Sequence, residues 1–372
     1  MHVGLNLVFL VPGRTGGMEV AARALIPALR DAAPGVRFTA LVNRESAGED
    51  FGVDSAVVPV QATSRLQWVR GEQQLMPGIA RRLGCDLVHS LGSTAPARGR
   101  FVRVTTIHDL NYLLVPEAHF GLRGLGMRAL IPLSARASHR LIADSASTRD
   151  DLVARLRVPT GKVDVVHLGL GQAAATAPTP GAALRERLAL GDRRVVLSLS
   201  AKRPHKNLKG LLDALARLVP ERRPITVLPG YPTAYEAELR SHAEALGIAG
   251  DVRWPAWTSG ADVEGLFALA DAFVFPSFYE GFGLPVLEAM ARGVPVACSD
   301  RSSLPEVAGD AALLFDPADP GAIANALERL LGDPELAASL AAAGRARATQ
   351  FTWVRTAQQT LATYERARSV RP

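Results

Sequence analysis

Short, continuously apolar runs alternate with longer amphipathic segments along almost the whole chain. In the first half, residues 5–11, 38–42, 56–60, 86–90, 101–107, 140–144 and 163–167 read as strands. Their apolar character is continuous rather than every second residue, as in strands covered on both faces of a parallel sheet. Helices are predicted over 18–32 and 65–83, and irregular helix and loop over 116–139. Ser147-x-x-Asp150 reads as a helix cap. The alternation then stops at 171–181, a stretch rich in Ala, Pro and Thr that has the composition of a linker. It restarts with strands at 195–200, 225–230, 253–257, 271–277, 296–298 and 311–315, and helices at 208–218, 234–246, 284–292, 320–331, 334–349 and 352–368. Two α/β domains with parallel sheets follow, each Rossmann-like: 1–170 and 183–350, joined by a linker at 171–182 and trailed by a helix within 351–372.

Composition narrows the class. A chain of 372 residues with 48% hydrophobic content is long enough for two sizeable cores. No apolar run reaches the length of a membrane span, and the start has no basic segment before its apolar residues, so a cytoplasmic protein is expected. Cys85 and Cys298 stand alone and read as core residues, not as a disulfide framework or a zinc site. The net charge of +6 comes from scattered arginines rather than a basic run. It does not imply nucleic acid binding; it fits polyanionic substrates, is equally explained by codon bias, and is compatible with peripheral contact at an anionic membrane surface.

The chemistry concentrates after the strand at 271–277. That run stops at Pro276-Ser277, Gly281 and Gly283 then free the backbone, and Pro285 suits a first helical turn. A helix start favours anions such as phosphate, yet Glu280 precedes it and Glu288 lies about one turn inside. Two carboxylates repel a bare phosphate but accept hydrogen bonds from hydroxyls, which describes a nucleotide sugar. The plainer alternative is that Glu288 complements the helix dipole and Glu280 is merely solvated. Lys202, Lys206 and Lys209, three of only four lysines in the chain, cluster with Arg203 between a strand and a helix start. Such a position suits a diphosphate, although charge runs more often lie on solvated surfaces. The pair Gly16-Gly17 links the first strand to a helix, but without the third glycine of the dinucleotide fingerprint a nicotinamide site is poorly supported. His108 and His89 both end strands, and position does not separate a ligand contact from a buried structural histidine. Trp68 reads as core.

The segment Ser277-x-x-Glu280-Gly281-Phe282-Gly283-Leu284-Pro285-x-x-Glu288-Ala289-Met290-Ala291 resembles the E-x7-E signature of the retaining glycosyltransferases of family 4. Gly293-x-Pro295-Val296 and Ser302-Ser303-Leu304-Pro305-Glu306-Val307-x-Gly309 continue that pattern, and Lys206-Asn207 resembles its R-K-N element. The resemblance spans nearly the whole chain and is strongest over 200–317. It implies the GT-B arrangement, two Rossmann-like domains facing across a cleft, with the final helix crossing back onto the first. It also implies a nucleotide-diphosphate sugar held mainly by the second domain and a hydroxyl-bearing acceptor held by the first. Donor contacts would come from Gly16, Gly17, Arg203, Lys206, Glu280, Gly281, Phe282, Gly283, Leu284 and Glu288. In this reading Lys206 contacts the phosphates, Glu288 the ribose and Glu280 the sugar. Arg203 is the weakest assignment, because the position several residues earlier where the family can carry its arginine is Ser200 here. The resemblance selects His108 over His89 and places it by the donor sugar, with Asp109 as a local hydrogen-bond partner. The catalytic set is therefore His108, Arg203, Lys206 and Glu280. No cofactor and no metal are expected, since the chain has no Asp-x-Asp pair. Retention through a covalent intermediate and retention by same-face attack both stay open, the family being assigned the second. The rivals are a sugar-nucleotide epimerase or phosphorylase of the same fold and a catalytically silent sugar-nucleotide binding protein.

Overall fold

The computed structural model describes residues 1–115, 122–171, 177–230, 233–256 and 259–369. The chain divides into two compact units, one of residues 1–169 with 351–372 and one of residues 170–350. Unit 1 contains β1 (His2–Leu7), β2 (Arg37–Val42), β3 (Asp54–Val57), β4 (Leu87–Ser90), β5 (Val102–Ile107), β6 (Arg140–Ala143) and β7 (Val163–Val165). They form one sheet in the order β3-β2-β1-β4-β5-β6-β7, with every pairing parallel. Unit 2 contains β8 (Val195–Leu197), β9 (Ile225–Val227), β10 (Val252–Arg253), β11 (Ala272–Phe275), β12 (Val296–Ser299) and β13 (Leu313–Phe315), in the parallel order β10-β9-β8-β11-β12-β13. Each order reverses direction once, between β1 and β4 and between β8 and β11. Open α/β sheets bind ligands beyond the strand ends at such a point.

A strand forms at or beside each apolar run, with the run at 56–60 giving β3 at Asp54–Val57 and that at 253–257 giving β10 at Val252–Arg253; other departures have local causes. β1 starts at His2 because His2 to Leu7 pair along the full length of β2; residues 8–11 turn away, with the Leu10 N–H donating to the Leu7 carbonyl at 3.0 Å. The helix cap expected at Ser147 belongs to Ser145, whose Oγ accepts the Thr148 N–H at 3.1 Å, so residue 147 already lies within the helix Ala146–Leu156. The helix expected over 65–83 is interrupted by a π-helical turn, Gly71–Leu75, which places Glu72 in the interior. Trp68 packs on the cluster around Val60 and Met76, as a core reading requires. Helices Gly181–Arg187 and Gly260–Leu269 were not legible: the first begins at the very end of the segment read as linker, and the second carries no clear apolar stripe. Of the irregular region at 116–139, Leu122–Ala137 is helical, whereas 116–121, like 172–176 of the linker, lie outside the described residues. Both cysteines are buried and free. No described helix is long and apolar enough to cross a membrane.

The helix Trp353–Ser369 belongs to the core of unit 1. Ala357, Tyr364 and Ala367 pack with Leu5, Ile26 and Val104, and the Tyr364 ring meets His89 edge-on at 5.4 Å. His89 is fully buried, with Nδ1 2.8 Å from the Tyr364 hydroxyl and Nε2 2.8 Å from Thr106 Oγ1. Burial, together with the charge of His108, pushes its pKa down to about 3. His89 is thus a neutral structural residue.

Two predictions follow from this core. A neutral His89 contributes stability that is complete above its unfolded pKa of about 6.5 and is lost as the pH falls toward 3. The melting temperature should therefore drop between pH 6.5 and 4, and drop less in His89→Gln, as differential scanning calorimetry would show; equal pH dependence in both proteins would contradict the assignment. A Cβ on Gly169 would lie 2.3 Å from the Trp353 backbone nitrogen, where neither group can yield cheaply. Gly169→Ala should cost about 2 kcal/mol or more in urea unfolding.

Candidate active site

In unit 2 the crossing point lies between β8 and β11, and the segments leaving these two strands carry the charged side chains. After β8 the lysine cluster splits. Lys202 is only 1% exposed, donates to the Gly230 carbonyl at 3.2 Å and pairs with Glu236 at 3.3 Å. Burial lowers its pKa against the pull of Glu236. It is an internal ion pair and no part of a cationic face, while Arg203 and Lys209 are exposed. Lys206 ends the short 3-10 turn Pro204–Lys206, and Asn207 then takes a left-handed φ of 52°. The Asn207 side chain accepts the Gly210 N–H at 3.2 Å and donates to the Pro317 carbonyl at 2.6 Å, so it both caps the helix Leu208–Arg217 and pins the turn. That turn aims Lys206 at the loop after β11. Its Nζ donates to both carboxylate oxygens of Glu280, at 2.6 and 2.8 Å, and sits 5.7 Å above the Phe275 ring.

The loop that carries Glu280 is held by two serines. Ser302 Oγ accepts the Glu280 N–H at 3.2 Å and donates to the Glu280 carbonyl, while Ser303 Oγ donates to the Phe282 carbonyl at 2.7 Å. Gly283 has φ 109° and its missing Cβ leaves room for Leu304, whose Cδ2 would lie 2.6 Å away. Gly283 starts the helix Leu284–Ala291, and Phe282 beside it is buried. One turn in, Glu288 is half-buried, and among the described residues its carboxylate accepts no hydrogen bond. The neighbouring Arg292 is committed to Glu264 at 2.8 Å and to the Glu288 carbonyl at 2.9 Å. Burial pushes the Glu288 pKa up against the pull of Arg292. A desolvated carboxylate without a donor is costly unless a ligand supplies one.

In unit 1 the corresponding point lies between β1 and β4. Beyond β1 the chain turns through Gly13 and Gly16, both left-handed, into the helix Gly17–Ala32. A Cβ on Gly16 or Gly17 would meet nothing within 4 Å, so the side of the loop they present is open. Glu19 ties the loop down by accepting the Gly13 N–H at 2.9 Å and pairing with Arg23 at 2.9 Å. Beneath, Glu72 accepts from Asn6 at 3.0 Å, Thr94 at 2.9 Å and Gln73 at 3.2 Å; burial nevertheless pushes its pKa up to about 7. His108 follows β5. Its Nδ1 is 2.7 Å from Asp144 Oδ2 and its Nε2 is 2.7 Å from the Leu91 carbonyl. Burial alone would lower its pKa, but the Asp144 carboxylate outweighs that and holds it at about 9. Asp109 accepts the Asn111 N–H at 2.9 Å and its side-chain amide at 2.7 Å, a local role.

Within unit 2, therefore, Lys206, Glu280, the backbone from Gly281 to Leu284 and Glu288 come together, while Arg203 makes no contact with Glu280. In unit 1, Gly16, Gly17 and His108 lie at the carboxyl ends of β1 and β5. Sequence reasoning passed over the two groups that orient these residues. Ser302 and Ser303 stood within the quoted pattern without a role, and Asp144 read only as the end of a strand.

Two family models cover nearly all of the chain: glycosyl transferases group 1 over residues 182–347, and glycosyltransferase family 4 over 15–170. The O-antigen chain mannosyltransferase B of Escherichia coli is 33% identical over 266 residues, 70% of each chain. The D-inositol 3-phosphate glycosyltransferase of Thermobispora bispora is 32% identical and covers 93% of this chain and 83% of its own. Among solved structures, sucrose-phosphate synthase from Thermosynechococcus elongatus superposes with a TM-score of 0.79 over 100% of both chains at 21% identity. HepE from Anabaena, in complex with UDP and glucose, gives 0.76 over 98% of this chain and 99% of its own at 22% identity. The likeness to these structures is one of fold, and the two parallel sheets of seven and six strands are those of the GT-B glycosyltransferases. With the family models on both units and a relative matched at 33% identity, the chain belongs to the group 1 glycosyltransferases.

Proposed function

We propose that the protein transfers a sugar, with retention of its anomeric configuration, from a nucleotide-diphosphate sugar to an acceptor hydroxyl. The observation that carries this is the arrangement at the β8/β11 crossing: a lysine, a carboxylate bonded to it, a helix start, and a second carboxylate without a hydrogen-bond donor. A ligand with phosphates and hydroxyls together satisfies all four. The phosphates meet Lys206 and the helix start, and the hydroxyls meet Glu280 and Glu288. Anabaena HepE, of the same fold, holds UDP-glucose in one of its structures, which supports a donor of this kind.

In the reaction the bond between the anomeric carbon and the diphosphate oxygen breaks as the acceptor oxygen attacks from the same face. The acceptor proton passes to the departing phosphate oxygen. Negative charge grows on the diphosphate, and Lys206 with the helix start at Leu284 stabilises it electrostatically. Arg203 is exposed and free to swing toward the phosphates. On unit 1, Gly16 and Gly17 are assigned to the donor phosphates and His108 to the donor sugar at the reaction centre. The reaction is assigned no metal and no cofactor, since Lys206 and Arg203 supply the positive charge that a cation otherwise brings. The coupling of Lys206 to Glu280 has a further meaning in this scheme: the lysine must share itself between its carboxylate and the incoming diphosphate. Incubation with a panel of nucleotide sugars and acceptors, with the product anomer read by NMR, tests the assignment; an inverted product would overturn retention, and turnover without transfer would overturn the acceptor.

Glu288→Gln should weaken donor and free nucleoside diphosphate alike, because both carry the ribose and a hydrogen bond to a charged group contributes about 1.5–3 kcal/mol. Glu280→Gln should leave free diphosphate binding intact or slightly stronger, because it releases Lys206, while turnover falls. Calorimetric titration of both variants decides the matter, and equal losses of affinity would show that the division of roles is wrong. Activity should also persist in excess chelator; loss restored by magnesium or manganese would put a metal in the site.

A further inference from the structure

His108 has a partner on each ring nitrogen, and neither partner is a donor. The Leu91 carbonyl at 2.7 Å only accepts, so Nε2 carries a proton. Asp144 Oδ2 at 2.7 Å from Nδ1 accepts when ionised, so Nδ1 carries one too. Asp144 is only 3% exposed, and its other oxygen, Oδ1, is buried and has no hydrogen-bond partner among the described residues. The residue lines a small cavity of about 20 Å³ together with Met18, Thr106, His108, Thr356 and Thr360.

We propose that Asp144 is the positioning residue of His108: it fixes the ring orientation and holds it as a doubly protonated cation. The consequence is chemical. A ring with a proton on each nitrogen donates and does not accept, so His108 is no general base for the acceptor hydroxyl; it contributes a fixed positive charge and a hydrogen-bond donor.

The surroundings agree with that charge state. Asp109, next to His108, adds a second negative charge. His89, from β4, is kept neutral by burial and by the charge on His108 itself. The helices Gly17–Ala32 and Trp353–Ser369 bring no ionisable side chain to the cavity, only Met18, small apolar residues and the hydroxyls of Thr356 and Thr360. Asp144 is thus the one carboxylate bonded to the ring, and burial raises its own pKa against the opposing charge of His108.

The raised His108 value of about 9 puts the loss of its charge above neutral pH. In the intact protein, nitrogen-15 NMR of the histidine rings, with His108 assigned by its absence in His108→Gln, should show both nitrogens protonated at pH 7.5. An unprotonated nitrogen at that pH would overturn the proposal, and this measurement does not depend on the variant folding or on any sugar being transferred. In Asp144→Asn the ring should titrate at or below the ordinary value of about 6.5, because burial then acts without its counter-charge. The kinetic arm rests on the transfer reaction proposed above. There, kcat/KM of Asp144→Asn should fall about 50-fold between pH 6.5 and 8.5 while the wild type stays level, and Asp144→Glu should restore much of the loss. A drop in Asp144→Asn that is the same at every pH would mean that Asp144 only packs, and would refute the role.

Discussion

A parallel strand cannot be followed directly by its neighbour; the chain must cross over and come back, so every strand of such a sheet points the same way. All the carboxyl ends then lie on one edge, and the loops that leave them are the only places where side chains and backbone groups from distant parts of the sequence meet without burying the sheet. Both units of this protein obey that constraint, and each of the residues argued to act sits on the same edge. Lys206 leaves β8, Glu280 leaves β11, His108 leaves β5 and the glycine loop leaves β1. The core has a matching role. Strands covered on both faces supply rigid ends from which short segments, such as the 3-10 turn before Lys206, can aim one atom at another.

The charges at these edges are arranged in opposed pairs. Lys206 rests on Glu280 and His108 on Asp144, each through contacts below 3 Å and each shielded from water. Such pairs repay the cost of desolvation only when the geometry is good and the remaining lone pairs find donors. Glu280 meets the first condition through two oxygens on one ammonium. Glu288 meets neither and is the group with the most to gain from a ligand. Eight residues separate a carboxylate that holds its donor from one that accepts no hydrogen bond among the described residues.

The apolar runs predicted every strand, because parallel strands are apolar throughout and few alternatives fit runs so short. Helices with weak stripes, Gly181–Arg187 and Gly260–Leu269, left no comparable signal, since only their tertiary neighbours decide which side is inside. A motif drew attention to Glu280, Glu288 and Lys206, and the structure joins two of them, Lys206 and Glu280, by direct hydrogen bonds. It was illegible where direction mattered. Lys202 and Lys206 are four residues apart and look alike in sequence, yet one is turned inward to Glu236 and the other outward to Glu280. His89 and His108 both end strands, and what distinguishes them is a hydroxyl pair around one and a carboxylate beside the other. Asp144 could not be found at all, because its partner lies 36 residues earlier on an adjacent strand's end.

The return of the last helix to unit 1 has an outcome for how the protein is made. Unit 2 is continuous in sequence, whereas unit 1 lacks part of its interior until Ala357, Tyr364 and Ala367 arrive. During synthesis from the amino terminus, the first 169 residues emerge early with an unfilled groove over β5 and β6 beside the helix Gly17–Ala32, while all of unit 2 can fold behind them. The hydroxyl that His89 needs is made only after the whole of unit 2. A chain lacking the helix Trp353–Ser369 therefore keeps a complete second unit and leaves apolar surface of the first open to proteases.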